Sequence, residues 1–333
     1  VRLLDHRFEE IISLENLLDA WNEFLRGKQK KSDVQEFQAH LMDNIIALHQ
    51  DLANHNYRHG GYQAFKVNDP KPRDIHKASV RDRLLHHAIY RILYPFFDKR
   101  FIADSFSCRL DKGTHKALDR FRTMASKVSK NHRRTCWVLK LDVRKFFANI
   151  DQTILLDELK KHIVDKETLW LLSEIIGSFS STRPGVGLPL GNLTSQLFVN
   201  IYMNVFDQFV KHQLKINYYI RYADDFVLFS TDWLSLLGNF SSIDLFLQTR
   251  LHLNLHPKKI FLRTLASGVD FLGWVHFPDH RVLRTATKHR MKKRLQGNTS
   301  ELVIQSYLGL LSHGNASKLQ QSLRNDHWVF RDK

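Results

Sequence analysis

Hydrophobic residues recur at helical spacing through the N-terminal region, first at Phe8, Ile11, Ile12, Leu17, Leu18, Trp21, Phe24 and Leu25, then at Phe37, Leu41, Ile45, Ile46 and Leu48. This period predicts amphipathic helices up to Asn56, with these residues facing a core. From Gly60 to Arg83 the pattern breaks. Gly60-Gly61, Pro70 and Pro72 interrupt helices, and Tyr62 to Val67 reads as a short strand. Leu84 to Phe97 is helical again. Trp137 to Asp142 (WVLKLD) is apolar nearly throughout and predicts a strand. Tyr218 to Phe229 (YYIRYADDFVLF) predicts a hairpin with Ala223, Asp224 and Asp225 at its turn. Between them Asn192 to Phe209 predicts a helix, with Leu193, Leu197, Ile201 and Val205 on one stripe. After Leu251, LHLNLHPKKIFLR and GVDFLGWVHF read as a helix end and a strand pair. The tail is helical and strongly basic at Lys288 to Arg294 (KHRMKKR). The sum is an α+β chain: helices, a mixed segment, an α+β centre and a helical tail.

Composition changes this picture in one respect. A chain of 333 residues can bury one large core, or support a few subdomains sharing one. Lys and Arg number 50 against 34 Asp and Glu, a formal net charge of +16. Such a surplus on a folded chain points to a polyanion, in the first place a phosphate backbone. An anionic membrane surface, or basicity for solubility alone, would also use it. The two cysteines, Cys108 and Cys136, have neither CxxC spacing nor a paired framework, which fits a cytosolic chain without a structural zinc site. No apolar run is long enough to span a membrane.

Three carboxylates stand where carboxylates are unfavourable. Asp is depleted in strands, yet Asp142 ends one apolar strand and Asp224 and Asp225 form the tip of an apolar hairpin. A lone Asp pair in a turn is ordinary Asx chemistry; the flanking apolar arms make it unusual. Two carboxylates within about 4 Å repel by roughly 4 kcal/mol at an effective dielectric near 20. Either they bind protons or a cation sits between them, and hard divalent cations prefer carboxylate oxygen. A pair of such ions is what in-line phosphoryl transfer uses.

The YADD box formed by these residues makes the chain resemble the reverse transcriptases, a likeness that runs from residue 60 onward. FKVNDPKPRDIHKASVRDRLLHHAI (65–89) looks like that family's fingers motifs, and LKLDVRKFFANID (139–151) like its first palm motif. LPLGNLTSQLFVNIY (188–202) looks like its template-and-nucleotide helix, and LNLHPKKI (253–260) and FLGW (271–274) like the two motifs that follow. A YxDD box alone is a weak signal; the whole set in order is a strong one.

The resemblance implies roles for particular residues. Asp142 and Asp224 would hold two Mg2+ ions with the Val143 carbonyl, and Asp225 would support them. Phe147 would lie under the sugar and exclude a ribose 2′-hydroxyl, unless it simply packs in the core beside Phe146. Arg73, Arg81 and Arg83 would grip triphosphate oxygens, though Asp74 and Asp82 could hold one of them in a structural salt bridge. Gly191 would let the backbone approach the templating base pair, and Gln196 would face template and incoming nucleotide. Lys259, or its neighbour Lys258, would protonate pyrophosphate.

It also implies an architecture: a right-hand polymerase fold with fingers, a palm of antiparallel strands backed by helices, and a short helical thumb. The expected divisions are an N-terminal helical segment at 1–56, fingers at 57–135, palm at 136–280 with part of 152–187 contributing to fingers, and thumb at 281–333. No RNase H, integrase, endonuclease or maturase region is expected beyond it. Group II intron enzymes, to which the chain is related, typically read QGxxxSP in the helix motif; here Leu190 to Gln196 ends in Ser-Gln. That feature, DSFSCRLDKGTHKA (104–117) and SYLGLLSHGNASKL (306–319) resemble the reverse transcriptases of diversity-generating retroelements, although Phe106-Ser107 stand where that family usually has Tyr-Ala. Such enzymes copy a template-repeat RNA into cDNA from dNTPs, with errors at adenines, and work with an accessory basic pentameric helical-bundle protein. The implied setting is the cytoplasm of a bacterium or archaeon, or a phage gene, with no membrane partner. A retron or antiphage-defence reverse transcriptase is the near alternative. A non-catalytic nucleic-acid-binding protein of the same fold is the distant one. The 288–294 cluster would serve either by gripping a duplex, or is only a solvated helix face.

Overall fold

The computed structural model describes residues 3–68, 72–297 and 300–331; the break expected at Pro70 lies outside them. The chain opens with helices α1 (Phe8–Ile12), α2 (Leu14–Leu25), α3 (Ser32–Ala39) and α4 (Leu41–Ala53). Strands β1 (Tyr62–Val67) and β2 (Arg73–Ala78) follow, then helices α5 (Val80–Asp98) and α6 (Thr114–Val128). The centre runs β3 (Trp137–Asp142), α7 (Gln152–Lys160), α8 (Lys166–Gly177), α9 (Leu193–Gln208), β4 (Tyr219–Tyr222), β5 (Asp225–Ser230) and α10 (Trp233–Leu251). Strands β6 (Phe261–Thr264), β7 (Val269–Phe271), β8 (Trp274–His276) and β9 (Arg281–Leu283) lead to helices α11 (Thr285–Gly297), α12 (Glu301–Leu311) and α13 (Ser317–Arg331). None of the described helices is long and apolar enough to cross a membrane. The chain forms two compact units. The first takes the residues up to Ala103, Val143–Lys215 and Ser242–Leu255; the second takes Asp104–Asp142, Ile216–Ser241 and the residues from His256 on.

In the first unit α2 packs on α5. Phe8, Ile11, Ile12, Leu17, Trp21 and Phe24 are buried, as their spacing predicts, and so are Leu84, Leu85, Ala88 and Ile89 of α5. Ile46 departs from expectation and is 39% exposed, because it lies one position off the α4 stripe that buries Ile45, Leu48 and Leu52. Helix α5 begins at Val80, ahead of the predicted Leu84. Ser79 caps it, accepting from the Asp82 N–H at 3.1 Å. The Asp82 carboxylate is buried but satisfied, accepting from Tyr57 Oη at 2.8 Å, Ser79 Oγ at 2.6 Å and the Gly60 N–H at 3.1 Å.

His86, on the same helix, is buried, and neither ring nitrogen has a partner among the described residues. Burial, with His59, His87 and Arg83 nearby, pushes its imidazole down to about 3. The unfolded chain protonates this ring near pH 6.5, so the folded state binds the proton later. The contribution to stability is therefore whole above that pH and is lost as pH falls toward the folded value. Going from pH 7 to pH 5 should cost about 2 kcal/mol through His86 alone. Urea midpoints should show that drop, and His86→Leu should lack that part of it.

The second unit is built on an antiparallel sheet in the order β4-β5-β3-β6. Its register sets Asp142 opposite Asp225, and Tyr222 opposite Asp225 from the other side. Helix α6 packs on β4 and β5 and buries Ala117, Leu118, Phe121, Met124, Ala125 and Val128 at helical spacing. Each large apolar side chain so buried contributes roughly 1.5–3 kcal/mol. Where the sequence predicts a strand pair around FLGW, the structure has a three-stranded meander, β7-β8-β9. Its last strand is short and follows a turn in which the Phe277 N–H donates to the His280 carbonyl at 2.8 Å.

Candidate active site

The second unit brings the expected carboxylates together. Asp142 ends β3, and Asp225 begins β5 directly across from it. Asp224 precedes Asp225 in a tight turn whose Ala223 has φ +55°, in the left-handed region. Two ammonium groups meet the carboxylates. Lys259 Nζ lies 2.7 Å from Asp142 Oδ1, and Lys140 Nζ lies 3.2 Å from Asp225 Oδ2. Lys259 is carried by a 3-10 turn, Pro257–Lys259, and the His256 N–H donates to the Asp142 carbonyl at 2.8 Å. Lys258 is exposed, so of the two adjacent lysines it is Lys259 that joins the carboxylates.

Asp225 Oδ1 is buried and has no partner among the described residues. Burial pushes the Asp225 carboxyl up to about 7; Lys140 opposes the rise, and Asp142 and Asp224 add to it. A buried, unpartnered carboxylate oxygen beside two further carboxylates is a site short of positive charge. Asp142 and Asp225 face each other and offer hard oxygen ligands suited to a divalent cation, with Asp225 Oδ1 unpartnered among the described residues, although no group of three or more His, Cys, Asp or Glu among those residues is gathered closely enough to hold an ion as it stands. Val143, next along the chain, pairs with Leu255 in an isolated antiparallel bridge.

Two residues that support the site were not singled out from the sequence. One is Lys140, and the other is Arg221, fully buried in β4. Arg221 Nη2 donates to Ser105 Oγ at 3.0 Å, and Nη1 donates to the Ala223 carbonyl at 3.2 Å. Ser105 belongs to the 104–117 segment, which lies along β4. The Arg221 N–H donates to the Asp104 carbonyl and the Phe106 N–H to the Arg221 carbonyl, both at 3.0 Å. Thr114 Oγ1 is 3.0 Å from the Tyr222 hydroxyl. The segment thus braces the hairpin that presents Asp224 and Asp225. The signal for both residues was in the sequence, since each is a cation inside an apolar strand.

The remaining candidates belong to the first unit. Arg73 opens β2, is exposed, and has no side-chain ion pair among the described residues. Arg81 and Arg83 are engaged. Arg81 Nη2 donates to Asp51 at 2.7 Å and its guanidinium lies over the Tyr57 ring. Arg83 Nη2 donates to Asp33 at 2.5 Å and its guanidinium lies over Phe24. Asp51 and Asp33 are distant in sequence; of the acidic neighbours that sequence proximity suggests, Asp82 does approach Arg81, 4.0 Å from its Nη1. Phe146 is buried, whereas Phe147, in the same 3-10 turn, is half-buried and edge-on to it. Gln196 is half-buried in the first turn of α9. The loop before that helix is docked on β2: the His76 N–H donates to the Leu190 carbonyl at 2.9 Å, and Asn192 Nδ2 donates to the His76 carbonyl at 2.8 Å.

Gly191 lies in this loop with φ +108°, and a Cβ there would come 2.7 Å from Ile75 Cγ2. Both features require glycine. Gly191→Ala should destabilise the protein by about 1–3 kcal/mol, lowering its Tm by several degrees. Adding Ile75→Ala should give back the steric share of that loss.

Helices combined with an antiparallel sheet, and carboxylates at the tip of its central strands, define the right-hand polymerase fold. The same fold is found in apo telomerase from Candida Tropicalis, with a TM-score of 0.50 at 11% identity over 66% of this chain and 48% of that one. The chain belongs to the reverse transcriptase (RNA-dependent DNA polymerase) family, whose model matches residues 66–276. Among curated relatives, Protein YkfC of Escherichia coli (strain K12) is 23% identical over 301 residues, 76% of this chain and 74% of YkfC. The Group II intron-encoded protein LtrA of Lactococcus lactis subsp. cremoris is 22% identical over 314 residues, 72% of this chain. A putative COX1/OXI3 intron 1 protein of Saccharomyces cerevisiae is 26% identical over 162 residues, 45% of this chain. The chain spans only 50% of LtrA and 18% of the yeast protein.

Proposed function

We propose that this chain makes DNA on an RNA template, adding dNTPs to a primer 3′-hydroxyl by phosphoryl transfer at Asp142, Asp224 and Asp225. The observation that carries this reading is the carboxylate cluster at the β3–β5 end, with its unpartnered Asp225 oxygen, in a chain of this family. Asp142 and Asp224 would hold two magnesium ions with the Val143 carbonyl, and Asp225 would support them. Bound there, the ions would lower the pKa of the attacking hydroxyl and neutralise charge on the leaving pyrophosphate. Lys259, already at Asp142, would donate a proton from Nζ to that pyrophosphate. Among the three fingers arginines, Arg73 is the one available for a triphosphate, since Arg81 and Arg83 are held by Asp51 and Asp33. Phe147 would select the deoxyribose, and Gly191 and Gln196 would meet the template base and the incoming nucleotide.

The finer reading is a diversity-generating reverse transcriptase. It would copy a template-repeat RNA with errors at adenines, in the cytoplasm, together with a basic pentameric accessory protein. Its support is the Ser195-Gln196 pair, the 104–117 brace on the YADD hairpin and the 306–319 segment. Primer extension on RNA with dNTPs and Mg2+, followed by cDNA sequencing, tests both levels. Product that disappears in Asp224→Asn is the expected result. Errors concentrated opposite adenine would uphold the finer reading, and accurate cDNA would replace it with a retron or defence enzyme. No product, even with accessory protein and cognate RNA supplied, would overturn the polymerase assignment.

A further inference from the structure

The turn that joins α6 to β3, within the second unit, holds three consecutive side-chain-bearing residues in the left-handed region: Lys130, Asn131 and His132, at φ +50°, +55° and +67°. Asn tolerates that conformation, but a lysine or histidine there is strained. Glycine would take the same shape without strain, and none stands here. The turn is nonetheless held in one form. The Asn131 N–H donates to the Ser126 carbonyl and the Arg134 N–H to the Ser129 carbonyl, both at 2.8 Å. Ser129 is buried, and its Oγ accepts from the His132 N–H at 2.9 Å. Ser126 Oγ donates to Asn131 Oδ1 at 2.8 Å. A strained backbone that its surroundings keep in place marks a segment whose side chains have a task.

Those side chains carry charge. Lys127, Lys130, Arg133 and Arg134 are exposed, and so are Asn131 and His132. No Asp or Glu occurs between Asp119 and Asp142. At the two ends of that run the cations are engaged, Arg120 with Asp104 and Lys140 with Asp225. Lys127, Lys130, Arg133 and Arg134 make no ion pair among the described residues. Like charges fixed this close together repel one another, and a polyanion relieves them.

The class of polyanion follows from what the turn lacks. Val128, the one apolar residue from Lys127 to Thr135, is buried. A protein interface has an apolar centre from which lysine is depleted, and a membrane-surface segment adds large apolar side chains to its cations. A sugar-phosphate backbone asks only for cations and hydrogen-bonding side chains. The place is also separate from the carboxylates. The turn leads into the start of β3, and Asp142 ends that strand, about 17 Å along it.

We propose that residues 127–134 grip the sugar-phosphate backbone of a nucleic-acid strand, without regard to sequence, at the end of the sheet remote from the carboxylates. On the polymerase reading this second grip holds a strand outside the segment being copied. The grip itself needs neither the carboxylates nor their metal.

The test uses the full chain in EDTA, so that its outcome does not depend on the polymerase reading. Lysine acetylation, read by mass spectrometry, is compared without ligand and with a single-stranded RNA, a DNA of the same sequence or polyglutamate. Nucleic acid should slow acetylation of Lys127 and Lys130 at least about threefold. Stronger protection by RNA would identify RNA as the strand held, stronger protection by DNA would identify DNA, and equal protection a grip indifferent to the sugar. Lys127→Gln, Lys130→Gln, Arg133→Gln and Arg134→Gln combined should reduce the slope of log K against log salt by about 3, four single-strand contacts at about 0.7 each. Thermal melts would show the variant folded. No protection at either lysine, polyglutamate protecting them as well as nucleic acid does, or a slope unmoved by the combined substitution would each overturn the proposal.

Discussion

Asp142→Asn should abolish RNA-templated DNA synthesis, slowing it at least about a thousandfold, roughly 4 kcal/mol of barrier, while leaving the fold as stable as before or more so. The two halves of this expectation have one cause. Asp142 and Asp225 face each other at the ends of β3 and β5, with Asp224 next in the chain, and Lys259 pairs with Asp142 and Lys140 with Asp225. Removing one charge relieves repulsion, which at about 4 Å and a dielectric near 20 amounts to roughly 4 kcal/mol per ionised pair. It also removes a ligand from the place where divalent cations are needed. A catalytic carboxylate thus lowers stability while it enables chemistry. Melting curves and primer extension on the same preparation check both halves. Lys140→Met is the contrasting case. It strips Asp225 of its ion-pair partner and should destabilise the chain, because a buried carboxylate is left without compensation. If Asp142→Asn proved clearly less stable than the parent, the carboxylate would be a structural group and the catalytic assignment would fail.

What could be read from the sequence, and what could not, divides along a physical line. Periodicity and local anomaly are properties of neighbours in the chain. Leu17, Trp21 and Phe24 declared a helix face, and Asp142, Asp224 and Asp225 declared themselves by interrupting apolar strands. Choice of partner is a property of the folded chain. For Arg73, Arg81 and Arg83 the chain offered only Asp74 and Asp82 as neighbours able to hold one of them in a salt bridge. The fold does set Asp82 4.0 Å from Arg81, but the closer partners are distant in sequence, Asp51 for Arg81 and Asp33 for Arg83, while Asp82 accepts hydrogen bonds from Tyr57, Ser79 and Gly60. Gly191 shows the same limit. Its glycine was read as clearance for a base pair, yet Ile75 of a distant strand already forbids a side chain there. The third strand of the β7-β8-β9 meander, Arg281–Leu283, is no shorter than the other two, but it lies outside the apolar run GVDFLGWVHF that marked them.

Arg221 carries the second large expectation: Arg221→Met should cut DNA synthesis by about a hundredfold in protein that is still folded. The guanidinium spans two groups, Ser105 Oγ and the Ala223 carbonyl. Methionine keeps the apolar stem and loses the fork. The hydrogen bonds forgone to a charged donor are worth about 3 kcal/mol together. A larger effect falls on position than on stability. Ala223 sits at φ +55°, where a residue with a Cβ is strained by about 1–2 kcal/mol. Its carbonyl is tied down by Arg221. Once released, the turn can relax and carry Asp224 and Asp225 with it, and a shift of about 1 Å at a reacting centre costs on the order of a hundredfold. Arg221→Lys should fail nearly as badly, because an ammonium cannot fork to two acceptors. Ala223→Gly distinguishes this account from simple unfolding. Glycine adopts the left-handed conformation without strain, so adding it to Arg221→Met should restore much of kcat. If Ala223→Gly restored stability without activity, Arg221 would be a fold-stabilising residue and not one that positions the carboxylates.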